Sequence, residues 1–377
     1  MRFSSIYGVF FSQSFPSARF CFVLFLLVWS SFAALLIFGR VNAIDGIDAQ
    51  YWDWSHHLQG SYVNKPPLLT YIYGPVVFLA GRHEWIIEAV RFLFAVGSIV
   101  IIGVLTNDLT GNKYASLMVV GLLGFSLNIV SDLSEGGTTM PAVFLWLSSL
   151  LFFIRALHDK RGMWVAVGIS LGLGLLCRYT LMFPLLAFAT YLLIWERSRL
   201  KTRGPWTALG LIVLLNTGVI WWNIKQGWVS IAHLEAIKEV QSNNVVPFSL
   251  MRLPGFWLEE IDNFGFFPVL SLLAASLFMI VHPKRFPQKK IMPVVLAAFS
   301  LAIFYNLLHI NMDMRAGWTL YIWLHGPILI VWLLCAYGGK CRILSIVVAI
   351  AGLIAFAHVC LNDVKHPGRT LGNFIAG

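Results

Sequence analysis

Eleven apolar stretches constrain this chain more than any other feature. They lie at roughly 20–38, 87–106, 114–130, 139–157, 163–177, 179–195, 205–222, 266–282, 291–308, 318–337 and 343–361, most of them long enough to cross a bilayer as helices. With 58% hydrophobic and only 12% charged residues in 377, a soluble domain could not hide them. Backbone groups in lipid must find partners within their own segment, so helices are the expected solution. The fold class is an all-α polytopic membrane protein of about 11 transmembrane helices. The two segments between 163 and 195 are the shortest, and their limits are the softest.

Lysine and arginine positions set the expected orientation. With the N-terminus in the cytoplasm, the inside loops are 107–113, 158–162, 196–204, 283–290 and 338–342. Together with the N-terminal arm they hold roughly 15 Lys and Arg in about 53 residues. The outer segments hold roughly 10 in about 124. Arg197, Arg199, Lys201 and Arg203 crowd one inner loop, and Lys284, Arg285, Lys289 and Lys290 another. Asp45, Asp48, Asp53, Glu259, Glu260 and most other carboxylates fall outside. The functional face is therefore expected to be extracytoplasmic, with the protein in a bacterial inner membrane and its site toward the periplasm or exterior.

The net charge of +10 does not point to nucleic acid, because most of the basic excess sits in loops beside the cytoplasmic leaflet. Cys21, Cys177, Cys335, Cys341 and Cys360 lie in or at the ends of spans without metal-ligand spacing, so no disulfide framework, metal site or cofactor is expected. The first span reads as an uncleaved anchor.

One polar, aromatic and proline-marked island follows that span. Asp45-Gly-Ile-Asp-Ala-Gln-Tyr-Trp-Asp-Trp-Ser-His-His-Leu58 suits an interfacial helix over 45–59, with Ile47, Tyr51, Trp54 and Leu58 on one face. Asp48, Trp52 and Ser55 form the adjacent stripe. Asn64-Lys-Pro-Pro-Leu68 follows, in which Pro66 and Pro67 hold the chain around Lys65 extended. The segment from Pro66 to Gly81 is expected to be a second interfacial or half-inserted helix.

These residues resemble a known family, the GT-C membrane glycosyltransferases that use polyprenyl-phosphate-linked sugars, in the bacterial branch related to aminoarabinose transferases and protein O-mannosyltransferases. Asp48-Ala-Gln-Tyr-Trp-Asp-Trp-Ser55 is similar to the family's first outer loop, and Asn64-Lys-Pro-Pro-Leu68 to its Lys-Pro-Pro-Leu element. Leu175-Leu-Cys-Arg-Tyr-Thr-Leu181 resembles its turn between two spans, and Trp221-Trp-Asn-Ile-Lys-Gln-Gly-Trp-Val-Ser230 the step that leaves the membrane. The resemblance covers roughly 45–230; beyond that only hydropathy and a polar loop around 309–318 agree.

The chain departs from the family at two places. The usual Asp-Glu pair is not intact: either Asp48 holds the first position after a deletion, or Asp45 must serve. Where relatives often carry an Asp ahead of the fourth span, this chain reads Thr138-Thr139-Met140-Pro141, with Asp132 and Glu135 nearby. With the chain ending soon after the eleventh stretch, the large outer domain that longer relatives append is not expected.

The resemblance implies a GT-C-like transmembrane domain over 1–361, with outer loops at 45–81 and 223–265 and a short outer tail at 362–377. It also implies transfer of a sugar from a polyprenyl-phosphate donor to a lipid, glycan or protein acceptor by an inverting single displacement. Such chemistry needs cations against the departing phosphate and a carboxylate to receive or orient the acceptor hydroxyl. Asp48 is the first candidate for the carboxylate and Asp45 the second. Lys65, Arg178, Arg315 and His309 are the candidate phosphate contacts.

Other features have plainer readings. Trp221, Trp222 and Trp228 suit the aromatic belt, Gly136-Gly137 a turn, and residues 231–240 a helix in the outer loop. His56 and His57 are adjacent and would face different ways on a helix. Two other functions remain open: a transporter or flippase of lipid-linked sugars, and a non-catalytic lipid-binding subunit on the same scaffold. Few mid-span charges and no internal repeat weigh against transport.

Overall fold

A computed structural model of the protein describes residues 17–39, 46–80, 85–126, 137–160, 162–230, 232, 252–282, 288–309, 320–337 and 342–365. Among these residues all regular structure is helical. In chain order the α-helices are α1 Ala18–Phe38, α2 Gly46–Ser55, α3 Leu68–Ala80, α4 Trp85–Thr110 and α5 Ala115–Leu123. Then come α6 Thr139–Leu157, α7 Met163–Cys177, α8 Met182–Trp195, α9 Arg203–Lys225 and α10 Arg252–Phe264. The last five are α11 Phe266–Val281, α12 Gln288–His309, α13 Leu320–Trp323, α14 His325–Tyr337 and α15 Arg342–Lys365.

Among the described residues, seven segments are long and apolar enough to cross a membrane, and four shorter apolar helices accompany them. The chain is thus a multi-pass membrane protein, and every apolar stretch read from the sequence contains a helix. Large apolar side chains such as Phe20, Leu27, Leu93, Leu214 and Ile354 are exposed, as expected of surfaces that face lipid rather than water. The core lies inside the bundle, where Trp29, Trp146, Phe153, Tyr321 and Trp323 are almost wholly buried.

Two details of helix formation position the site. The α7–α9 pair crosses closely because Gly168 meets Ala208, where a Cβ on the glycine would lie 2.8 Å from the Ala208 carbonyl oxygen. A 3-10 turn, Tyr179–Leu181, then links α7 to α8 and presents Arg178 at the tip of the hairpin. Helix α10 was not foreseen within the outer loop. Phe256, Glu260 and Phe264 recur every four residues and are buried, while Leu258 and Glu259 between them are exposed.

The interfacial helix is shorter than expected. It ends at Ser55, so Leu58 lies beyond it and is exposed. The buried stripe is Asp48, Tyr51 and Ser55, whereas Ile47 is 45% exposed. A mixed polar and aromatic stripe therefore faces the protein, because Asp48 and Tyr51 both find partners there. The segment after Pro66 and Pro67 is a helix, α3, with Pro75 inside it. Tyr51, Leu69, Tyr73 and Ile87 bury a small core between α2, α3 and the start of α4.

Candidate active site

Asp48 stands in the first turn of α2 and is buried. One carboxylate oxygen accepts the Gly137 N–H at 2.9 Å, and the other is ion-paired with Arg91 near the start of α4. Gly137 can offer that N–H because it adopts a left-handed backbone, φ 77°, with Ile47 only 3.2 Å from where a Cβ would stand. The sequence reading of a turn at Gly136-Gly137 holds at Gly137, and the turn also carries a donor for Asp48. Breaking a buried pair of this kind by removing one partner costs about 3–5 kcal/mol.

Lys65 lies three residues before α3, half-buried, with its ammonium 5.8 Å from the centre of the Tyr51 ring. The Tyr51 hydroxyl donates to the Pro66 carbonyl at 3.2 Å, so the proline-marked segment is tied to the helix that carries Asp48. Trp54 stacks on Tyr62 at 4.2 Å, and the Tyr71 hydroxyl donates to the Gln59 carbonyl at 2.7 Å. Trp222 donates its indole N–H to the Gln59 side chain at 3.3 Å. That tryptophan therefore fastens the segment between α2 and α3 to α9.

Arg178 reaches the same region from the α7 end. Its guanidinium donates to the Tyr321 hydroxyl at 3.2 Å and lies within 3.4 Å of the Thr139 hydroxyl. It also sits 5.7 Å from the centre of the Tyr321 ring. Tyr321 is stacked on Trp146 at 5.1 Å. Trp146 in turn donates to His325 Nε2 at 3.2 Å, while His325 Nδ1 faces the Tyr321 carbonyl at 2.6 Å. A neutral imidazole donating from Nδ1 satisfies both contacts.

The electrostatics join these groups. Burial lowers the Lys65 ammonium from its ordinary range, the Arg178 charge lowers it further, and Asp48 opposes them by raising it. Burial likewise raises the Tyr51 hydroxyl well above the usual phenolic value, with Arg178 opposing. Two cations thus crowd one partly buried region, close enough to repel each other, with a carboxylate at its edge.

Three sequence-read candidates, Asp48, Lys65 and Arg178, are brought together. His309 is buried in an adjoining aromatic lobe, 4.7 Å from the Phe256 ring. There the Trp257 indole donates to Asn306 at 3.2 Å and Trp323 donates to the buried Glu260. Tyr305, one turn before His309, lies within electrostatic reach of Arg178, Tyr321 and Glu260, so the lobe borders the cations. Asp45 and Arg315 lie outside the described residues, as do Asp132, Glu135 and the helix expected over 231–240, apart from Ala232.

Sequence reasoning missed Arg91, Tyr321, Thr139 and Glu260. Arg91 alone carried a usable signal, since a cation inside an apolar stretch asks for a named partner.

Residues 64–222 match the family described as dolichyl-phosphate-mannose-protein mannosyltransferase; Lys65 and Arg178 fall within the match and Asp48 before it. The chain is 22% identical over 298 residues to the lipid A galacturonosyltransferase RgtD of Rhizobium johnstonii, covering 76% of this chain and 60% of that protein. It therefore spans about 60% of the length of that curated relative.

Among solved structures, ArnT from Cupriavidus metallidurans bound to undecaprenyl phosphate superposes with a TM-score of 0.64 at 13% identity. That match covers 92% of this chain and 77% of ArnT. The archaeal oligosaccharyltransferase AglB from Archaeoglobus fulgidus, in complex with an inhibitory peptide and a dolichol-phosphate, gives 0.52 at 13% identity, covering 95% of this chain and 57% of AglB. The chain has the GT-C fold of these structures, and its residues 64–222 match the dolichyl-phosphate-mannose-protein mannosyltransferase family.

Proposed function

We propose that the protein transfers a sugar from a polyprenyl-phosphate donor to a lipid, glycan or protein acceptor on the extracytoplasmic face. The observation that carries this reading is the convergence of Lys65 and Arg178 beside Asp48. Two crowded, partly buried cations are poorly matched to each other and well matched to an anion that arrives between them. The departing phosphate gains negative charge as its bond to the sugar breaks, so this pair stabilises the transition state more than the ground state.

In the displacement, the acceptor oxygen bonds to the anomeric carbon from the face opposite the phosphate. The carbon–oxygen bond to phosphate breaks and its electron pair leaves with the phosphate. The hydroxyl proton passes to Asp48, whose orientation is set by Gly137 and Arg91. Structures of the same fold bound to undecaprenyl phosphate and to a dolichol-phosphate, and a similar protein that acts on lipid A, favour this class of substrates.

One observation favours a second reading. Asp48 is already engaged by Arg91 and Gly137, as it would be if it only fastened α2 in a protein that binds lipid phosphate without transferring sugar.

Lipid-linked sugar analysis of cells with and without the gene separates the two. Transfer predicts that the deletion accumulates one polyprenyl-phosphate sugar and loses one glycoconjugate. Unchanged pools of both would leave only the binding reading.

A further inference from the structure

At the opposite end of the bundle from Arg178, helices α8 and α9 enclose an apolar recess of about 290 Å³. Trp164, Leu171, Leu185, Phe188, Leu193 and Leu209 are among its walls. The recess exists because the close α7–α9 crossing at Gly168 draws those two helices together, while α8 packs mainly against α12. Leu200 of the 3-10 turn Arg197–Lys201 and Pro205 and Trp206 at the start of α9 line one end of it. Trp206 is 59% exposed, and its indole N–H donates to the Leu200 carbonyl at 2.7 Å.

The charges around that end of the recess are mostly basic. Arg197, Lys201 and Arg203 are exposed. Arg199 is taken by Asp159 at 2.6 Å and approaches Glu196 at 3.4 Å. Among the described residues, no acidic side chain pairs with Lys201 or Arg203. An apolar slot ending at a basic rim with an interfacial tryptophan has the shape and charge of a lipid with an apolar chain and an anionic head.

We propose that this recess binds one acyl chain of an anionic phospholipid of the cytoplasmic leaflet, with the phosphate on Lys201 and Arg203. The assignment of leaflet rests on the orientation proposed above. Because α7 and α8 form the hairpin that carries Arg178 at its far tip, a chain lodged between α8 and α9 also sets the splay of that hairpin.

Native mass spectrometry of the purified full chain tests the site without any transfer assay, so its failure would leave the transferase reading standing. Dioleoyl phosphatidylglycerol and dioleoyl phosphatidylcholine are titrated separately. The wild type is expected to bind phosphatidylglycerol about tenfold or more tightly, since each basic side chain at such a surface is worth roughly fivefold in affinity. Lys201→Gln with Arg203→Gln should abolish the preference. Ala189→Phe, on a residue lining the recess, should weaken both lipids. Lys225→Gln, at the other end of α9 over the Trp221 ring, should change neither. Equal affinity for the two lipids, or a preference that survives the rim and recess variants, would overturn the proposal. So would an Ala189→Phe variant that loses undecaprenyl phosphate as strongly as phosphatidylglycerol, because the recess would then belong to the donor's chain.

Discussion

The two ends of the helix bundle use charge in opposite ways. At the end with the basic loops, ions are partly exposed and several are paired: Arg155 with Asp108 at 2.7 Å, Arg199 with Asp159 at 2.6 Å, and Lys289 near Glu196 at 3.8 Å. The Asp159 side chain is 79% exposed, and such pairs contribute little to stability. At the other end, Asp48 and Arg91 form a pair whose side chains are 6% and 10% exposed, while Lys65 and Arg178 crowd each other against tyrosines. Exposed pairs of the first kind fasten loops. Half-buried cations that repel one another suit an arriving anion, and among the described residues Lys65 and Arg178 at the second end are such a pair.

The comparison breaks most completely if the ends are assigned to the wrong sides. In a cysteine-free background, Gln226→Cys, exposed beyond α9, should react fully with a membrane-impermeant thiol reagent in intact cells. Ser198→Cys, exposed in the basic turn, should not react. The reverse pattern would move the candidate site to the cytoplasm.

The next largest effect belongs to Asp48. Asp48→Asn keeps the volume but leaves Arg91 without its counter-charge, so some stability is lost. Pairing it with Arg91→Met removes that imbalance. In both folded variants, transfer should fall by about 100-fold, the scale of general-base loss. Near wild-type turnover by the double variant would reduce Asp48 to a fastening residue.

A smaller effect sharpens the role of Lys65. Burial and Arg178 lower its pKa, so the folded protein loses this ammonium at a lower pH than an ordinary lysine would. Donor phosphate needs the charged form. Affinity should therefore be full below the lowered pKa and decline as pH rises through it, and Lys65→Arg should flatten that decline. A pH profile identical in wild type and Lys65→Arg would contradict the assignment.

The same contrast explains what was legible in the sequence. Apolar runs reveal spans because hydropathy acts residue by residue, and each expected span contains a helix. Motifs at Asn64–Leu68 and Arg178–Thr180 pointed to cations that do converge. The orientation of α2 was not legible, because apolar spacing favoured Ile47 and Leu58 while the buried face is fixed by Asp48 finding Arg91, 43 positions away, and Gly137, 89 positions away. Tyr321 on Arg178 spans 143 positions and had no local signal. Glu260 was visible only as one of many outer carboxylates; its burial depends on the amphipathic α10 meeting Trp323.

The central claim, that Lys65 and Arg178 hold one phosphate together, is tested most directly by undecaprenyl phosphate binding in detergent to wild type, Lys65→Ala, Arg178→Ala and the double variant. Each single change should weaken binding by about 1–3 kcal/mol, the range for a lost charge-assisted hydrogen bond. The double variant should lose less than the sum, because the two cations repel each other when the phosphate is absent. A water-soluble acceptor analogue should keep its affinity throughout. Unchanged donor affinity in both single variants would contradict the account and show that these two cations serve only the membrane interface.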